Sequence, residues 1–339
     1  GKWHVGGGAN LGPGRRGFDR TIHDSAGGFY FPSENKMQLT LNGEKIKHDD
    51  PRLPDNWYST DLWTDYGLRF IDEAIGENKP FVLYLAHNAP HFPVQAPQED
   101  IERWRGKFMK GWDKLREERY QRQMEMDLFG KKYPLTPMNP LVPEWDSLSE
   151  EQKEQSDLIM AIYAACIERI DKSVGHLVQS LKQKGVFDNT YIIFLSDNGG
   201  NPEGSLFGRC TGKNPGDVKS SVFIGHAWAG LTTTPFFMYK HHTHEGGTAS
   251  PTIISFPKAI DKKKNGTVVN TPMHIIDVMA TMVGYGKAKY PKQYKNRDVT
   301  PMQGVSMRPV FEGGKLDRKD PIFFEHENNW AMREGDWKI

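Results

Sequence analysis

The chain has 339 residues, 37% of them hydrophobic, which is enough for a sizeable core. Its 44 lysines and arginines nearly balance 43 aspartates and glutamates, so the formal net charge is +1. This balance argues against a dedicated nucleic-acid binder, which carries a basic stripe, and no apolar run approaches the roughly 18 residues of a membrane span. The two cysteines, Cys166 and Cys210, cannot make a disulfide framework. Length predicts one large domain with a small second one.

The first half of the chain alternates between a helix and a buried strand. Apolar residues recur at every fourth position of the predicted helix, at Leu62, Tyr66, Phe70 and Ala74. Ser59 or Thr60 can cap its start. Residues 80–86 are a short, continuous apolar run, which is typical of a strand in a buried parallel sheet. From about residue 103 to 143 the chain is polar and charged, which indicates a surface insertion with some helix.

The second half repeats this alternation. The longest predicted helix follows Ser149, which forms a capping box with Gln152, and it ends at Gly185. Residues 191–195 and 251–256 are further apolar runs with strand character. The last predicted helix has Thr271 as its cap and Pro272 at its first position. Its inward side is expected to carry Ile276, Ala280 and Val283.

The order of strands and helices predicts an α/β fold, a doubly wound α/β/α sandwich with a mainly parallel sheet. We expect this domain to span residues 1–315. Residues 316–339 contain the apolar run 322–324 and two short strands around Gly335, which predict the start of a small antiparallel C-terminal subdomain. Because the chain opens on Gly1 and stops within a strand, it is expected to be an interior piece of a longer protein.

Candidate functional residues follow two of the predicted strands. Asp197 and Asn198 come directly after the run 191–195, where ligands bind in open α/β sheets. Their hard oxygens suit Ca²⁺ or Mg²⁺ better than Zn²⁺, and an ordinary turn is the alternative interpretation. His91 lies between two prolines after the run 80–86 and can donate to an anionic oxygen or shuttle a proton. A histidine in such a loop is more often structural.

Two further segments carry cations. Lys240 follows the apolar run 235–238 and can place a fixed positive charge against an oxyanion, or it is an ordinary surface lysine. The neighbouring histidines and Glu245 invite a zinc interpretation. Their spacing does not match a helical H-E-x-x-H site, however, and no second cluster supplies the remaining ligands. Lys2 and His4 alternate along an extended segment, so both can face one side.

In their order along the chain, these segments resemble the type I sulfatases, the arylsulfatase-like members of the alkaline-phosphatase superfamily. The matching segments are residues 1–6 (GKWHVG), 80–93 (PFVLYLAHNAPHFP), 194–200 (FLSDNGG) and 239–247 (YKHHTHEGG). The resemblance extends over essentially the whole chain and implies the same α/β/α fold. It also implies that the separate segments converge on one calcium-centred, cationic pocket.

The resemblance implies a role for each candidate residue. Asp197 and Asn198 would be ligands of one active-site Ca²⁺, whose remaining ligands lie upstream of residue 1. Lys2 and Lys240 would contact the sulfate. His4 would hydrogen-bond the nucleophile, and His91 would hold a sulfate oxygen or protonate the leaving group. Cations and donors fixed around the sulfate would lower the barrier, because cleavage loads charge onto its oxygens.

The nucleophile of this family is a formylglycine, made from Cys or Ser in an upstream C/S-x-P-x-R motif by a formylglycine-generating or maturase enzyme. Neither Cys166 nor Cys210 has that context. Residues 1–339 alone are therefore expected to be inactive and to bind Ca²⁺ weakly.

The substrate implied by the family is the sulfate ester of a small molecule or a carbohydrate, met in the periplasm or outside the cell. Two alternatives stay open from the sequence. One is a phosphoester hydrolase of the same superfamily, and the other is a non-catalytic, sulfatase-like binding module.

Overall fold

The computed structural model describes residues 1–6, 11–24, 29–33, 39–129, 133–260 and 262–339. The chain divides into two compact units. Unit 1 comprises Gly1–Glu118, Pro137–Gly185 and Gly200–Thr232, and unit 2 comprises Arg119–Thr136, Val186–Gly199 and Thr233–Ile339. None of the helices in these described ranges combines the length and apolar character that crossing a membrane requires.

The secondary structure combines α-helices with short strands. In chain order, the α-helices are α1 (Ser59–Gly76), α2 (Gln98–Trp104), α3 (Trp112–Glu125), α4 (Glu150–Gln183), α5 (Gly225–Thr232), α6 (Glu245–Thr248), α7 (Ile276–Tyr285) and α8 (Arg308–Phe311). The strands are β1 (Ile22–His23), β2 (Thr40–Leu41), β3 (Glu44–Lys45), β4 (Ile192–Leu195), β5 (Arg209–Thr211), β6 (Ser221–Phe223), β7 (Thr252–Ser255), β8 (Gln293–Tyr294), β9 (Arg297–Asp298), β10 (Ile322–His326), β11 (Asn329–Glu334) and β12 (Trp337–Lys338). Short 3-10 helices cover Pro13–Arg16, Trp145–Ser147, Phe187–Asn189 and Lys262–Lys264.

The central element of unit 1 is α4, a helix of 34 residues against which α1 and α2 pack. The side chain of Ser149 accepts the N–H of Gln152, and the Gln152 side chain accepts the N–H of Ser149. The predicted capping box is therefore confirmed. Gly185 follows the last turn with φ of +70°, a conformation that favours glycine, so the predicted stop is confirmed as well.

Helix α1 is where the sequence predicts it, but the predicted cap was wrong. The residue before the helix is Tyr58, which makes no side-chain capping hydrogen bond. Ser59 instead donates from Oγ to Oδ1 of Asn88 at 3.1 Å, and Thr60 is buried. Both hydroxyl side chains point into the core of unit 1. There Asn88, which lies outside the helix, accepts the hydrogen bond of Ser59. Trp63 and other apolar residues of α1 belong to a hydrophobic cluster of this unit.

The segment predicted as a surface insertion contributes to the core of unit 1. Trp112, at the start of α3, is fully buried. Its ring lies edge-on to Trp145 and Trp228, with centroids 4.9 and 5.5 Å away. The charged residues around Trp112 dominate the composition of the segment. One large ring, however, buries enough apolar surface to anchor it.

The pairing of the strands differs from the expected parallel arrangement. The runs 191–195 and 251–256 do form strands, β4 and β7, but they pair antiparallel, with Ile193 opposite Ile254. The other sheets of the described residues, β1–β2–β3, β5–β6, β8–β9 and β10–β11–β12, are also built from antiparallel pairs. Residues 80–86 lie outside the assigned strands, and Val82 and Tyr84 are 63% and 61% exposed. A continuous apolar run shows that both faces suit burial, but it does not say which strand lies alongside.

The C-terminal strands of unit 2 form the small antiparallel sheet that the sequence predicts. Strands β10, β11 and β12 form one antiparallel sheet, and β11 and β12 are joined at Gly335, where φ is +56°. The compact units do not themselves test a domain boundary near residue 315, which stays a prediction.

Helix α7 starts later than predicted, at Ile276 rather than after Thr271. The buried carboxylate of Asp277 accepts the N–H of His274 at 2.8 Å, so a local hydrogen bond to this acid organises the start. Ala280 is buried as predicted, whereas Ile276 is exposed. The predicted first turn was wrong because Thr271 and Pro272 lie in a loop ahead of the helix.

Candidate active site

Asn88 fixes the loop that carries His91 in unit 1. Only 4% of Asn88 is exposed, and both ends of its amide are used. Its Oδ1 accepts from Ser59 Oγ at 3.1 Å and from Trp63 Nε1 at 2.9 Å, and its Nδ2 donates to Phe29 O at 2.6 Å. The carbonyl of Asn88 accepts the N–H of His91 at 2.8 Å. The loop is thus held to the core by a satisfied, buried amide.

The ring of His91 has a defined orientation. Its Nδ1 lies 2.7 Å from the carbonyl oxygen of Phe92, and a carbonyl oxygen can only accept, so Nδ1 carries a proton. In the neutral ring, Nε2 is then the atom that can accept one. The ring stacks on Phe92 at 4.3 Å, and the Tyr30 hydroxyl donates to the His91 carbonyl at 2.7 Å. This geometry suits the proton-transfer role predicted for His91.

The segment that carries Lys2 runs beside the start of the same loop. The N–H of Lys2 donates to Ala86 O at 2.7 Å. A Cβ on Gly1 would lie 2.1 Å from that oxygen, so the close approach requires glycine there. The structure therefore brings the Lys2 segment next to the residues that lead into the loop of His91. His4 is exposed, and its predicted role is not tested by its position.

Three other titratable groups of unit 1 are poorly suited to catalysis near pH 7. Loss of hydration lowers the pKa of His87 to about 4, so this imidazole is neutral; its Nε2 lies 3.2 Å from Ser173 Oγ. Burial raises the pKa of the Cys166 thiol to about 12 and also raises the pKa of Cys210. A nucleophilic cysteine needs a lowered pKa, which agrees with the interpretation that neither cysteine is the nucleophile.

In unit 2, the turn after β4 meets the segment that carries Lys240. The N–H of Gly199 donates to Gly247 O at 3.1 Å. A Cβ on Gly199 would lie 1.7 Å from Gly246 O, so only glycine permits this approach. The structure thereby places residues 197–198 beside the glycine pair that ends the Lys240 segment.

The predicted metal ligands occupy the turn itself. Asp197 is exposed and Asn198 is half-buried. The hydroxyl of Ser196 donates to the carbonyl of Asn198 at 2.9 Å, which closes the turn. A carboxylate and an amide oxygen are the hard donors that Ca²⁺ takes, so this donor set fits part of a calcium shell of six to eight oxygens.

Lys240 follows a buried anchor. Tyr239 is almost completely buried, and its carbonyl accepts the N–H of His242 at 3.2 Å. Before it, the hydroxyl of Thr233 donates to Met238 O at 2.9 Å. Side-chain and backbone hydrogen bonds therefore hold the backbone on both sides of the half-buried Lys240.

Glu245 anchors the far end of this segment, a role that the sequence did not reveal. Its Oε1 lies 2.7 Å from Lys338 Nζ and 2.9 Å from Arg333, and Lys338 also donates to Thr248 Oγ1 at 2.8 Å. Burial acts to raise the pKa of Glu245, but the hydrogen bonds and charges of Lys338 and Arg333 outweigh it. The net pKa is lowered. Glu245 and Lys338 are 93 residues apart in the chain. No local sequence pattern therefore links the two segments that carry them.

Comparison with known proteins identifies the family. The family model "Sulfatase" matches residues 1–288. The chain belongs to the sulfatase family. An uncharacterized sulfatase of Schizosaccharomyces pombe is 30% identical over an alignment of 370 residues. The alignment covers 100% of this chain and 65% of the relative. An arylsulfatase of Klebsiella aerogenes is 29% identical, over 91% of this sulfatase chain and 69% of the relative.

A solved structure shows the same fold. The crystal structure of Ps i-CgsB in complex with k-i-k-neocarrahexaose matches with a TM-score of 0.65 and 24% identity, over 99% of this chain and 60% of that one. The α/β fold class expected for a sulfatase of the alkaline-phosphatase superfamily is confirmed. The chain spans 65% of the length of the Schizosaccharomyces pombe relative.

Proposed function

We propose that the chain is part of a sulfuric ester hydrolase that cleaves a sulfate monoester with Ca²⁺ and an upstream formylglycine. The observation that carries this proposal is the hydrogen bond between Gly199 and Gly247. It joins the turn of Asp197 and Asn198, the proposed calcium ligands, to the segment that carries Lys240 in unit 2. Membership of the sulfatase family supports the choice of a sulfate ester over other anions.

The residues of the chain take distinct chemical roles. Asp197 and Asn198 would hold the Ca²⁺, which supplies Lewis-acid stabilisation of a sulfate oxygen when bound. Lys240 stabilises the negative charge that grows on the non-bridging oxygens as the ester bond breaks. Lys2 has the same role by resemblance, and His4 hydrogen-bonds the nucleophile.

His91 is the proposed proton donor to the leaving oxygen. Its Nδ1–H is engaged with the carbonyl of Phe92, so the donor is the doubly protonated ring, which gives the proton on Nε2 to the leaving oxygen and becomes neutral. A donor at this position neutralises the alkoxide or phenoxide as it departs. The proposed substrate is the sulfate ester of a small molecule or a carbohydrate.

The test uses the full-length protein that contains this chain, produced with its formylglycine-generating or maturase enzyme. It is assayed with an aryl sulfate and the matching aryl phosphate. We expect faster hydrolysis of the sulfate, loss of activity on chelation of Ca²⁺, and recovery when Ca²⁺ is returned. Lys240→Ala should lower kcat/KM by about 10²–10³-fold. His176→Ala, an exposed position on α4, is the matched control and should leave kcat/KM unchanged.

Each contrary result has a definite meaning. Faster hydrolysis of the aryl phosphate would replace the proposal with phosphoester hydrolysis. Binding of a sulfated ligand without any turnover would identify a binding module. Turnover by residues 1–339 alone would contradict the need for an upstream formylglycine.

A further inference from the structure

Three side chains that the proposed function does not use meet in unit 2. The Nδ1 of His241 lies 2.9 Å from Oε2 of Glu327, and Nε2 of His326 lies 3.5 Å from Oε1 of Glu327. One ligand atom from each residue lies within 4.8 Å of the other two. Within the described ranges of the chain, this is the only group of three or more His, Cys, Asp or Glu side chains with that proximity.

The backbone presents these side chains from two separate segments. Glu327 and Asn328 form the two-residue turn between β10 and β11, with φ of +50° and +62°. Turns of this kind favour Asn-Gly or Asp-Gly, so a glutamate at the first position is an unfavourable choice for the turn itself. His241 also has a positive φ, +80°. Strained positions of this type cluster at functional sites.

A hydrogen bond holds the two segments together. The Nδ2 of Asn329, the residue after the turn, donates to the carbonyl oxygen of His241 at 3.1 Å. The rings of His241 and His326 stack with centroids 5.9 Å apart and planes 25° from parallel. The backbone contact and the ring stacking therefore bring the three side chains together, while the side chains of His326 and Glu327 stay 59% and 57% exposed to solvent.

The donor set selects the metal. Two imidazoles and one carboxylate are the protein ligands of many three-residue zinc sites, whose fourth position is taken by water. With metal–ligand bonds of about 2.0–2.2 Å, tetrahedral ligand atoms stand roughly 3.3–3.6 Å apart. The two imidazole nitrogens lie 2.9 and 3.5 Å from different carboxylate oxygens of Glu327, so small side-chain movements suffice to reach this spacing. Imidazole nitrogens are poor ligands for Ca²⁺, which prefers oxygen.

We infer that His241, His326 and Glu327 form a Zn²⁺ site, separate from the calcium ligands at residues 197–198. In the sequence, the histidine spacing argued against zinc, and no second ligand cluster was visible. The turn after β10 supplies it. A bound Zn²⁺ replaces the proton that His241 shares with Glu327. It also cross-links the Lys240 segment to the C-terminal sheet, so it stabilises that segment against unfolding.

The test measures metal binding, not catalysis. Equilibrium dialysis of residues 1–339 against Zn²⁺ with excess Ca²⁺ present should give one Zn²⁺ per chain. His326→Ala and Glu327→Gln should each weaken binding by at least about tenfold. Addition of Zn²⁺ should raise the Tm of the unsubstituted chain and not that of either variant. Co²⁺ in place of Zn²⁺ should show the visible absorption of a tetrahedral complex.

Matched controls keep the inference falsifiable. His176→Ala removes an exposed histidine of α4, and Glu334→Gln removes an exposed glutamate of β11. Both should bind Zn²⁺ as the unsubstituted chain does. Equal binding by His326→Ala would overturn the inference, as would displacement of Zn²⁺ by Ca²⁺. Because the readout is zinc binding, its failure leaves the sulfatase proposal untouched.

Discussion

The two loops that carry candidate catalytic residues are anchored by different chemistry. In unit 1, the loop of His91 is fixed by the uncharged amide of Asn88, which is buried in the core. In unit 2, the segment of Lys240 is fixed by the carboxylate of Glu245, paired with two cations. Neutral hydrogen bonds in a dry core respond little to pH or salt, whereas a half-buried ion pair is screened and titrates. The strength of the Asn88 anchor should therefore hardly change with pH and salt, whereas the strength of the Glu245 anchor depends on both.

The largest effect is expected from Asn88→Ala. The substitution leaves the indole N–H of Trp63 and the carbonyl of Phe29 without their partner in the core. Each such group costs about 1–3 kcal/mol, so the free energy of unfolding should fall by roughly 2–6 kcal/mol. Urea denaturation at low and high salt measures this loss, which should be equal in both.

Asn265→Ala is the control, since Asn265 is an exposed residue of a turn. It should change the free energy of unfolding by less than about 0.5 kcal/mol. A loss in Asn88→Ala that shrinks with salt would show that charged groups, not the neutral amide, anchor the His91 loop.

Gly199→Ala comes next and tests the contact that carries the functional proposal. The new Cβ would stand 1.7 Å from Gly246 O, so the turn must move away from the Lys240 segment. Forcing such overpacking costs about 1–3 kcal/mol. In the full-length protein, Ca²⁺ affinity should fall together with activity.

A second glycine provides the comparison. Gly175 of α4 has nothing within 4 Å of the position of a Cβ. Gly175→Ala should therefore be neutral or stabilising by up to about 1 kcal/mol, because alanine favours helix. Equal stability of the two alanine variants would show that the close approach of Gly199 is not required.

The smallest effect, and the one that separates the two anchors, is expected from Glu245→Gln. Loss of the charge should lower the free energy of unfolding by about 1–2 kcal/mol at pH 7 and low salt, and by less at high salt. The pKa of Glu245 lies below its ordinary value of 4.5 in the folded chain. Its contribution is thus complete above the unfolded value and is lost as pH falls through the lowered pKa.

Urea denaturation between pH 7 and pH 3 measures this difference. The gap between the unsubstituted chain and Glu245→Gln should close as the pH falls. Glu334→Gln, on the exposed side of β11, should show no such trend. A constant gap over the whole range would mean that the carboxylate of Glu245 does not act through its charge.

Features encoded within a few residues were predictable from the sequence. Helix α4 begins just after Ser149 and ends just before Gly185 because the capping box and the left-handed glycine are local interactions. The same holds for the hairpin at Gly335 and for the position of Asp197 in the turn that follows β4.

The tertiary structure decided what distant segments do to one another. It set the antiparallel partner of β4, the burial of Trp112 and the role of Asn88, which local patterns do not encode. It also joined Glu245 to Lys338 and His241 to Glu327, pairs far apart in the chain. The physical reason is that periodicity and capping record the forces between neighbouring residues. Which surfaces meet depends on the fold as a whole, where burial outweighs local preference.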